Sequence, residues 1–262
     1  GEAMRFLTRK FGELGYRGAY RVVDARAFGV PQRRRRVILV ASKQHDPRPV
    51  IFGEDAGEPQ EPSREGRACG FYWTEGNTGL GWAVDAVPTI KGGSGLGIPS
   101  PPAIWMPDGS IVTPDIRDAE RLQGFEPDWT FPAVEAGFRK GSRWKLVGNA
   151  VCVPMSRWVG SRLVDHANPT DWGLEIELTE RHRWPTAAWG ESTAAFAVNV
   201  SEWPLNLSRP SLETFLAHEP QPLSERATRG FRSRLQRSSL QYPDEFMDSL
   251  ETAWPDEVAA AR

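Results

Sequence analysis

The chain has 262 residues, of which 39% are hydrophobic and 25% charged, so it can form one large or two small domains with a real core. Its net charge of −2 means that affinity for nucleic acid must come from local basic patches, and its two cysteines and four histidines predict neither a disulfide framework nor a zinc site. No run of about 18 apolar residues is present, so we predict no membrane span and expect a cytoplasmic protein.

The first predicted elements fit one edge of an α/β sheet. Residues 3–14 have apolar residues at helical spacing, and Gly15 ends the helix. Residues 20–25 and 37–42 are predicted strands, and the continuous apolar run from Val37 to Ala41 predicts a buried one. These elements are too few for a whole doubly wound domain. The chain opens inside the helix, so we expect a fragment, with a processed start as the alternative.

A cluster of four consecutive arginines lies between those two strands. Gly29 and Pro31 predict a turn, after which side chains of an extended chain alternate between faces. Gln32, Arg34 and Arg36 then share one face, and the arginines between them take the other. Guanidinium groups offer forked donors suited to phosphate or a base edge. The alternative is a solvated charge run or a localisation signal.

Residues 43–114 are rich in Gly and Pro and predict an irregular module with short strands. The segment from Thr89 to Gly97 contains closely spaced glycines, but the prolines that follow forbid the helix that a nucleotide-binding loop requires. We therefore predict a flexible loop that can approach another backbone closely. A plain solvent loop fits the glycines equally well.

The next segment predicts a helix with Thr113 as N-cap, Pro114 at its first position and Gly124 at its end. Arg117 and Arg121 are four residues apart, a spacing that suits one acidic or phosphate target. The alternative for both arginines is surface ion pairing with Asp118 and Glu120, and the sequence favours neither interpretation over the other.

A predicted apolar strand, Lys145–Val147, breaks at Gly148–Asn149, and Pro154 opens a helix. Such a junction brings backbone N–H groups and an amide to a cofactor-sized crevice, but from this segment alone a helix-capping turn is the preferred interpretation. Further helices are predicted near 211–218, 224–238 and 243–253. The second carries five arginines, for which a solvated face is preferred over contact with DNA phosphates.

Three blocks in this order resemble the last three motifs of DNA (cytosine-5) methyltransferases. They are Gly29–Val30–Pro31–Gln32–x–Arg34–x–Arg36, Arg121–Leu122–Gln123–Gly124–Phe125 and Gly148–Asn149–Ala150–Val151. The region between the first two lies where that family has its target recognition domain, and Thr89–Ile90 resembles the Thr–apolar pair found there. The resemblance covers residues 1 to about 165.

The resemblance implies an α/β fold class with a partial Rossmann-like methyltransferase domain. Residues 1–42 would form the C-terminal edge of the catalytic domain and 43–114 the loop-rich target recognition domain. Residues 115–165 would supply a recognition-domain helix and the return to the catalytic domain. Residues 166–262 would be an α-rich C-terminal extension of unknown role.

The resemblance also implies roles for individual residues on double-stranded DNA. Arg36, on the catalytic face that it shares with Gln32 and Arg34, would hold a flipped cytosine for attack, because the ring carbons of the base cannot be reached inside the stack. Arg34 would help to position the active-site loop or backbone. DNA would be contacted by Thr89, Lys91, Gly92, Gly93, Ser94, Arg117 and Arg121. Asn149, Ala150 and Val151 would complete the pocket for S-adenosyl-L-methionine. A prokaryotic, nucleoid-associated protein of a restriction-modification system is expected, and no metal site.

The main departure from the family is the absence of its nucleophile, a Cys that follows Pro. Cys69 follows Ala and Cys152 follows Val, and the Phe-x-Gly-x-Gly and Glu-Asn-Val segments are missing. An N-terminal half or a separate subunit would therefore carry the thiolate. The chief alternative is a catalytically inactive DNA-binding regulator of the same descent. A nuclease-like protein is disfavoured because a carboxylate cluster for metal is missing.

Overall fold

A computed structural model describes residues 2–75, 77, 79–93, 100–165, 175–179, 183–192 and 194–254. The helices are α1 (Glu2–Glu13), α2 (Arg48–Phe52), α3 (Ile116–Leu122), α4 (Pro132–Glu135), α5 (Ser142–Asn149), α6 (Val153–Val164), α7 (Leu212–Phe215), α8 (Glu225–Gln236) and α9 (Asp244–Ala253). The strands are β1 (Arg17–Asp24), β2 (Gln32–Arg33), β3 (Arg35–Ser42), β4 (Cys69–Phe71), β5 (Ala83–Val84), β6 (Val87–Pro88), β7 (Ala103–Trp105), β8 (Ile111–Thr113), β9 (Glu175–Glu177), β10 (Ala187–Glu191), β11 (Ala194–Val198) and β12 (Gln221–Pro222). The fold is therefore mixed α/β, and none of its described helices is long and apolar enough to cross a membrane.

Unit 1 comprises Gly1–Gly29, Arg34–Gln60 and Val153–Ser208. Its sheet has the strand order β3-β1-β10-β11-β9, and every pair is antiparallel. The two strands predicted from the sequence are confirmed as β1 and β3. The expectation that Val37–Ala41 is a buried strand is wrong, since β3 is at the edge of the described sheet and Val37 is 48% exposed. A continuous apolar run does not by itself separate a central strand from an edge strand.

A buried arginine fixes the segment that follows α2 in unit 1. Arg21 is fully buried, and its guanidinium donates to the carbonyl oxygens of Ser201 (2.7 Å) and Glu54 (2.6 Å) and to Asp55 Oδ1 (2.9 Å). Burial lowers the pKa of Arg21 to about 10, so the group remains charged at neutral pH. Because the donors are paired, the buried charge is compensated and ties β1 to the neighbouring loops.

The C-terminal part of the chain contains strands as well as the predicted helices. Strands β9, β10 and β11 lie within 175–198 and extend the sheet that begins with β3 and β1. The register pairs Tyr20 with Ala188 and Trp189 with Phe196. The pairing of β1 with β10 spans more than 160 residues of sequence, so local propensity could not reveal it.

Unit 2 comprises Val30–Arg33, Glu61–Cys152 and Arg209–Arg262. Its strands form an antiparallel sheet in the order β12-β8-β7-β4-β5 and a parallel pair of β2 with β6. The expected irregular module with short strands is found here, and α7, α8 and α9 confirm the three helices predicted near the C-terminus. One of its buried clusters is rich in aromatic residues, and its members are Cys69, Phe71, Leu80, Ala103, Trp105, Ile111, Leu223, Phe231, Leu235, Phe246 and Leu250. Another is mainly aliphatic and includes Ile90, Leu122 and Val147.

Helix α3 begins later than the sequence predicts. Asp115 is its N-cap, and the Asp115 carboxylate accepts from the backbone N–H of Arg117 at 2.8 Å. Thr113 instead ends β8, where it pairs with Gln221 of β12. The prediction of Thr113 as N-cap is wrong because that residue is used by the sheet, while Asp115 satisfies the same free backbone donors.

Candidate functional site

The side-chain amide of Gln32 is the centre of the candidate site in unit 2. Gln32 is fully buried, and its Oε1 accepts from the backbone N–H of Ile90 at 3.2 Å. Its Nε2 donates to the carbonyl oxygen of Leu122 at 2.8 Å and to Oε1 of Gln123 at 3.3 Å. A buried amide must find partners for both its oxygen and its nitrogen, and Gln32 finds them on two different segments.

A second buried amide extends this chain of hydrogen bonds. Gln123 is also fully buried, and its Nε2 donates to the carbonyl oxygen of Val147 at 2.8 Å. We call Gln32 and Gln123, with their backbone partners Ile90, Leu122 and Val147, the amide relay. It connects the segments that carry the three sequence blocks and the Thr–apolar pair.

The segment around Thr89 is attached to β2 by both backbone and side chain. β2 pairs in parallel with β6, and the Thr89 hydroxyl donates to the carbonyl oxygen of Arg33 at 3.1 Å. Lys91 Nζ lies 2.6 Å from Glu75 Oε1 and 4.0 Å from the centroid of the Tyr72 ring. The half-buried Thr89 and Lys91 are therefore held at the base of the predicted DNA-contacting loop, and their contact with DNA stays a prediction.

The segment Lys145–Val147, predicted as a strand, is the middle of helix α5. The prediction is wrong because three residues are too few for their apolar pattern to distinguish strand from helix. Helix α5 buries Val147 and Gly148 and leaves Leu146 half exposed. The junction at Asn149 therefore joins two helices, α5 and α6.

Gly148 allows α5 to touch the backbone of the predicted DNA loop. A methyl group at Gly148 would lie 2.2 Å from the backbone nitrogen of Gly92 and 2.2 Å from the carbonyl carbon of Lys91. A methyl group at Gly92 would lie 2.7 Å from Oδ1 of Asn149. Close approach to another backbone is one of the two predictions for this loop, and Gly92 fulfils it. Gly93 has a positive φ of 96°, and Ser94 lies outside the described residues.

The arginines of the basic cluster differ in burial in the alternating way that extended geometry predicts. Gln32 and Arg34 are buried, Arg33 is half-buried and Arg35 is exposed. Arg36 is half-buried, and its Nη1 donates to the carbonyl oxygen of Arg35 at 2.8 Å. The Arg35 guanidinium pairs with Glu202. The three residues predicted to share a face are thus less exposed than Arg35, and their catalytic role stays a prediction.

The two arginines of α3 form ion pairs in unit 2. Arg117 Nε lies 2.8 Å from Asp115 Oδ1, and Arg121 Nη1 donates to Asp118 Oδ1 (2.6 Å) and to the carbonyl oxygen of Phe215 (2.5 Å). The ion-pairing alternative therefore describes their contacts, with Asp115 as the unforeseen partner. Whether either side chain also meets DNA stays a prediction.

The two α3 carboxylates named as surface ion-pair partners, Asp118 and Glu120, are instead fully buried. Asp118 accepts from the backbone N–H and from Nδ1 of His218, at 2.9 and 3.1 Å. Glu120 accepts from the backbone N–H of Thr130 at 2.9 Å and from Arg143 Nη2 at 3.0 Å. A sequence signal existed for Glu120 and Gln123, which are four and seven residues after Ile116 and so share its apolar face.

Hydrogen bonding stabilises the charged form of Asp118. Burial is the largest single influence and favours the neutral form, but the bonds from His218, Arg121 and the backbone of Ala217 together outweigh it. The pKa of Asp118 is therefore below its ordinary value of 3.8. Asp118 holds the segment after α7 against α3 as a carboxylate.

The cysteines do not have the surroundings of a reactive thiolate. Cys69 is buried in β4, its Sγ donates to the carbonyl oxygen of Arg67 at 3.7 Å, and burial raises its pKa to about 11. Cys152 is 1% exposed. A catalytic cysteine needs a lowered pKa and access to substrate, and Cys69 has neither.

The residues predicted for the cofactor lie beside a shallow groove. Asn149 is exposed, Ala150 is half-buried and Val151 is 66% exposed. The groove has a volume of about 220 Å³ and is lined by Phe125, Trp129, Thr130, Ala133, Leu146, Val147 and Ala150. Ligand sites usually measure about 300–1,000 Å³. Of the three predicted residues only Ala150 lines this groove, and their contact with S-adenosyl-L-methionine stays a prediction.

Comparisons with known proteins give two relatives and one family. Residues 1–67 match the family model of C-5 cytosine-specific DNA methylase. The chain is 50% identical to the Type II methyltransferase M2.BsuMI of Bacillus subtilis (strain 168). The aligned region of 260 residues covers 96% of this chain and 66% of that protein. It is also 24% identical to the Type II methyltransferase M.NlaX of Neisseria lactamica. There the aligned region of 190 residues covers 62% of this chain and 57% of that protein.

The chain therefore spans about two thirds of the length of one relative and less of the other. No solved structure matches it.

Proposed function

Because the chain belongs to the C-5 cytosine-specific DNA methylase family, we propose that it forms the C-terminal part or a subunit of a DNA (cytosine-5) methyltransferase. The observation that carries the proposal is the amide relay, whose hydrogen bonds of 2.8–3.3 Å connect the first two motif blocks to each other and to Val147, the residue before the third block. The Type II naming of both relatives supports a place in a restriction-modification system.

Unit 2 is proposed to supply target recognition on double-stranded DNA. The half-buried Thr89, Lys91 and Gly92 are held on β2 and α5, so the loop that follows them starts from a fixed base. A loop anchored in this way can present donors and acceptors to base edges in the major groove. Arg117 and Arg121 are proposed to exchange their carboxylate partners for DNA phosphates and so to fix the position of unit 2 along the duplex.

Arg36 is proposed to hold the cytosine after it leaves the base stack, and Arg34 to help position the active-site loop or backbone. A guanidinium offers fixed, permanently charged donors to the ring's oxygen and so resists rotation of the flipped base. Asn149, Ala150 and Val151 would hold S-adenosyl-L-methionine from one side. When bound, this cofactor supplies the methyl group that is transferred to C5.

The nucleophile is proposed to come from another polypeptide segment. Cys69 has a pKa of about 11 and Cys152 is 1% exposed, so neither is suited to attack C6 of cytosine. A segment with a Pro-Cys pair and a Phe-x-Gly-x-Gly loop would complete both the thiolate and the cofactor site. The chain by itself would then be inactive.

The test measures transfer of a labelled methyl group to duplex DNA. The purified 262-residue chain should give none, and the chain co-expressed with a segment that contains Pro-Cys and Phe-x-Gly-x-Gly should give activity. In that complex, replacing the Cys after Pro should abolish transfer, whereas Cys69→Ala should retain it. Methyl transfer by the chain alone would overturn the proposed division of labour.

A catalytically inactive DNA-binding regulator is the second candidate, and the burial of both cysteines favours it equally. The same complex distinguishes the two. Duplex binding without methyl transfer in the presence of a competent N-terminal segment would favour the regulator.

A further inference from the structure

Helix α8 is an integral part of unit 2. Its residues Thr228, Phe231 and Leu235 are buried, and the Phe231 ring stacks on Phe71 of β4 with centroids 5.3 Å apart. Arg234 adds a polar anchor, because its Nη2 donates to the carbonyl oxygen of Trp73 at 2.8 Å. The helix is therefore fixed on the same unit that holds the predicted DNA loop.

The opposite side of α8 is strongly basic. From Glu225 to Arg237 the chain has one acidic residue and five arginines, which are Arg226, Arg229, Arg232, Arg234 and Arg237. With 100° between successive residues, Arg226 and Arg229 of α8 and Arg237, its C-cap, lie away from the buried stripe. We call these three the α8 arginine face. Arg226 and Arg237 are exposed and about 16 Å apart along the axis, at 1.5 Å per residue.

The bonds within this face leave it charged and accessible. Arg229 pairs with Glu225 at 2.9 Å, but both side chains are over a third exposed, so that pair is weak. Arg237 Nε donates to the carbonyl oxygen of Ser233 at 2.9 Å, which orients its guanidinium without neutralising it. The formal charge from Glu225 to Arg237 is +4 in a chain whose net charge is −2.

We propose that the α8 arginine face binds the DNA phosphate backbone as a sequence-independent clamp of unit 2. Charge complementarity selects this occupant, because guanidinium groups spaced along a fixed helix suit a row of phosphates and carry no base readout. The clamp rests on the proposed function. It adds a site outside the three motif blocks and gives the C-terminal extension a role in holding DNA while the loop near Gly92 reads it.

The test is the salt dependence of duplex binding by the full chain. Each phosphate that the protein neutralises adds about 0.9 to the steepness with which log affinity falls against log salt concentration. The double variant Arg226→Ala/Arg237→Ala should therefore have a slope shallower by nearly two units and bind at least about tenfold more weakly at physiological salt. Preference between duplex sequences should not change.

The control double variant Arg9→Ala/Arg157→Ala removes the same charge from exposed helical positions of unit 1 and should keep the wild-type slope. The Arg226→Lys/Arg237→Lys variant should also keep it, since charge rather than helix packing is required. An unchanged slope in the Arg226→Ala/Arg237→Ala variant, or an equally shallow slope in the lysine variant, overturns the clamp. Failure of the wild-type chain to bind any duplex instead overturns the proposed role of unit 2 in target recognition.

Discussion

The side-chain amides of Gln32 and Gln123 meet at 3.3 Å in the interior of unit 2, although 91 residues separate them in the chain. Each amide also donates to the backbone carbonyl of another segment, at 2.8 Å in both cases. The two glutamines thus act as one connection among β2, α3 and α5. Buried networks of this kind contribute most when every member is satisfied.

Gln32→Ala should destabilise the chain by about 2–4 kcal/mol, because it removes a hydrogen-bond partner of the buried N–H of Ile90 and of the carbonyl oxygen of Leu122. Urea unfolding should show a lower midpoint with an unchanged slope. Gln236→Ala, at an exposed position of α8, is the matched control and should change stability by less than about 0.5 kcal/mol.

A double-mutant cycle tests whether the two amides act together. Gln32→Ala and Gln123→Ala should couple by about 0.5–3 kcal/mol, as directly contacting residues do. Strictly additive losses of stability would contradict a relay and leave two independent side chains.

Gly148→Ala tests the contact between α5 and the predicted DNA loop. The added methyl group would lie 2.2 Å from backbone atoms of Lys91 and Gly92, which cannot move away as a side-chain tip can. We expect a decrease of about 1–3 kcal/mol in the free energy of unfolding and weaker discrimination among DNA sequences. Both are measured on the full chain, by urea unfolding and by competition between duplexes.

Gly160→Ala is the control for that experiment. Gly160 lies within α6, and no described atom comes within 4 Å of its added methyl group, so alanine should stabilise the chain by about 0.5–1 kcal/mol through helix propensity. If both alanine variants stabilised the chain, the proposed packing of Gly148 would be wrong.

Elements with strong local signals could be predicted from the sequence. The apolar periodicity and Gly15 indicated the position of α1, and the run ending at Ser42 located β3. The exposure of β3 could not be predicted, because an edge position depends on which strands pair beside it. Strands β9–β11 were missed for the same reason, since β10 pairs with β1 from a distant part of the chain.

The candidate site was predictable as a set of residues but not as a network. The motif blocks named Gln32 and Gln123, yet nothing in their spacing indicated that one amide would donate to the other. The helical state of Lys145–Val147 was hidden by the shortness of its apolar run. The capping role of Asp115 was masked by Thr113 and Pro114, which suit a helix start equally well by local chemistry.

Asp118 predicts acid sensitivity of unit 2. Its folded-state pKa is below 3.8, so the stability it contributes is complete above about that pH and disappears as pH falls through the lowered value. Asp118→Asn should decrease stability by about 2–4 kcal/mol at neutral pH, because His218 and Arg121 lose their charged partner. Below pH 3.8 its stability should fall less steeply than that of the wild type.

The measurement is urea unfolding at a series of pH values from neutral to strongly acidic. Glu213→Gln, at an exposed position of α7, removes the same charge and should leave both the stability and its pH dependence nearly unchanged. A wild-type curve that parallels the Asp118→Asn curve below pH 3.8 would contradict the assignment.

Arg36→Ala separates catalysis from DNA affinity in the complex with the N-terminal segment. If Arg36 holds the flipped cytosine, its removal should lower kcat by about 10²–10³, as does removal of a preorganised donor, while the Kd for duplex DNA changes by less than about threefold. Arg35→Ala is the neighbouring control, since Arg35 is exposed and pairs with Glu202. It should keep kcat within about threefold of the wild type. Equal decreases of kcat in the two variants would show that the alternation of faces from Gln32 to Arg36 does not determine which arginine holds the flipped base. A parallel decrease of kcat and DNA affinity in Arg36→Ala would instead assign that side chain to contact with the phosphates.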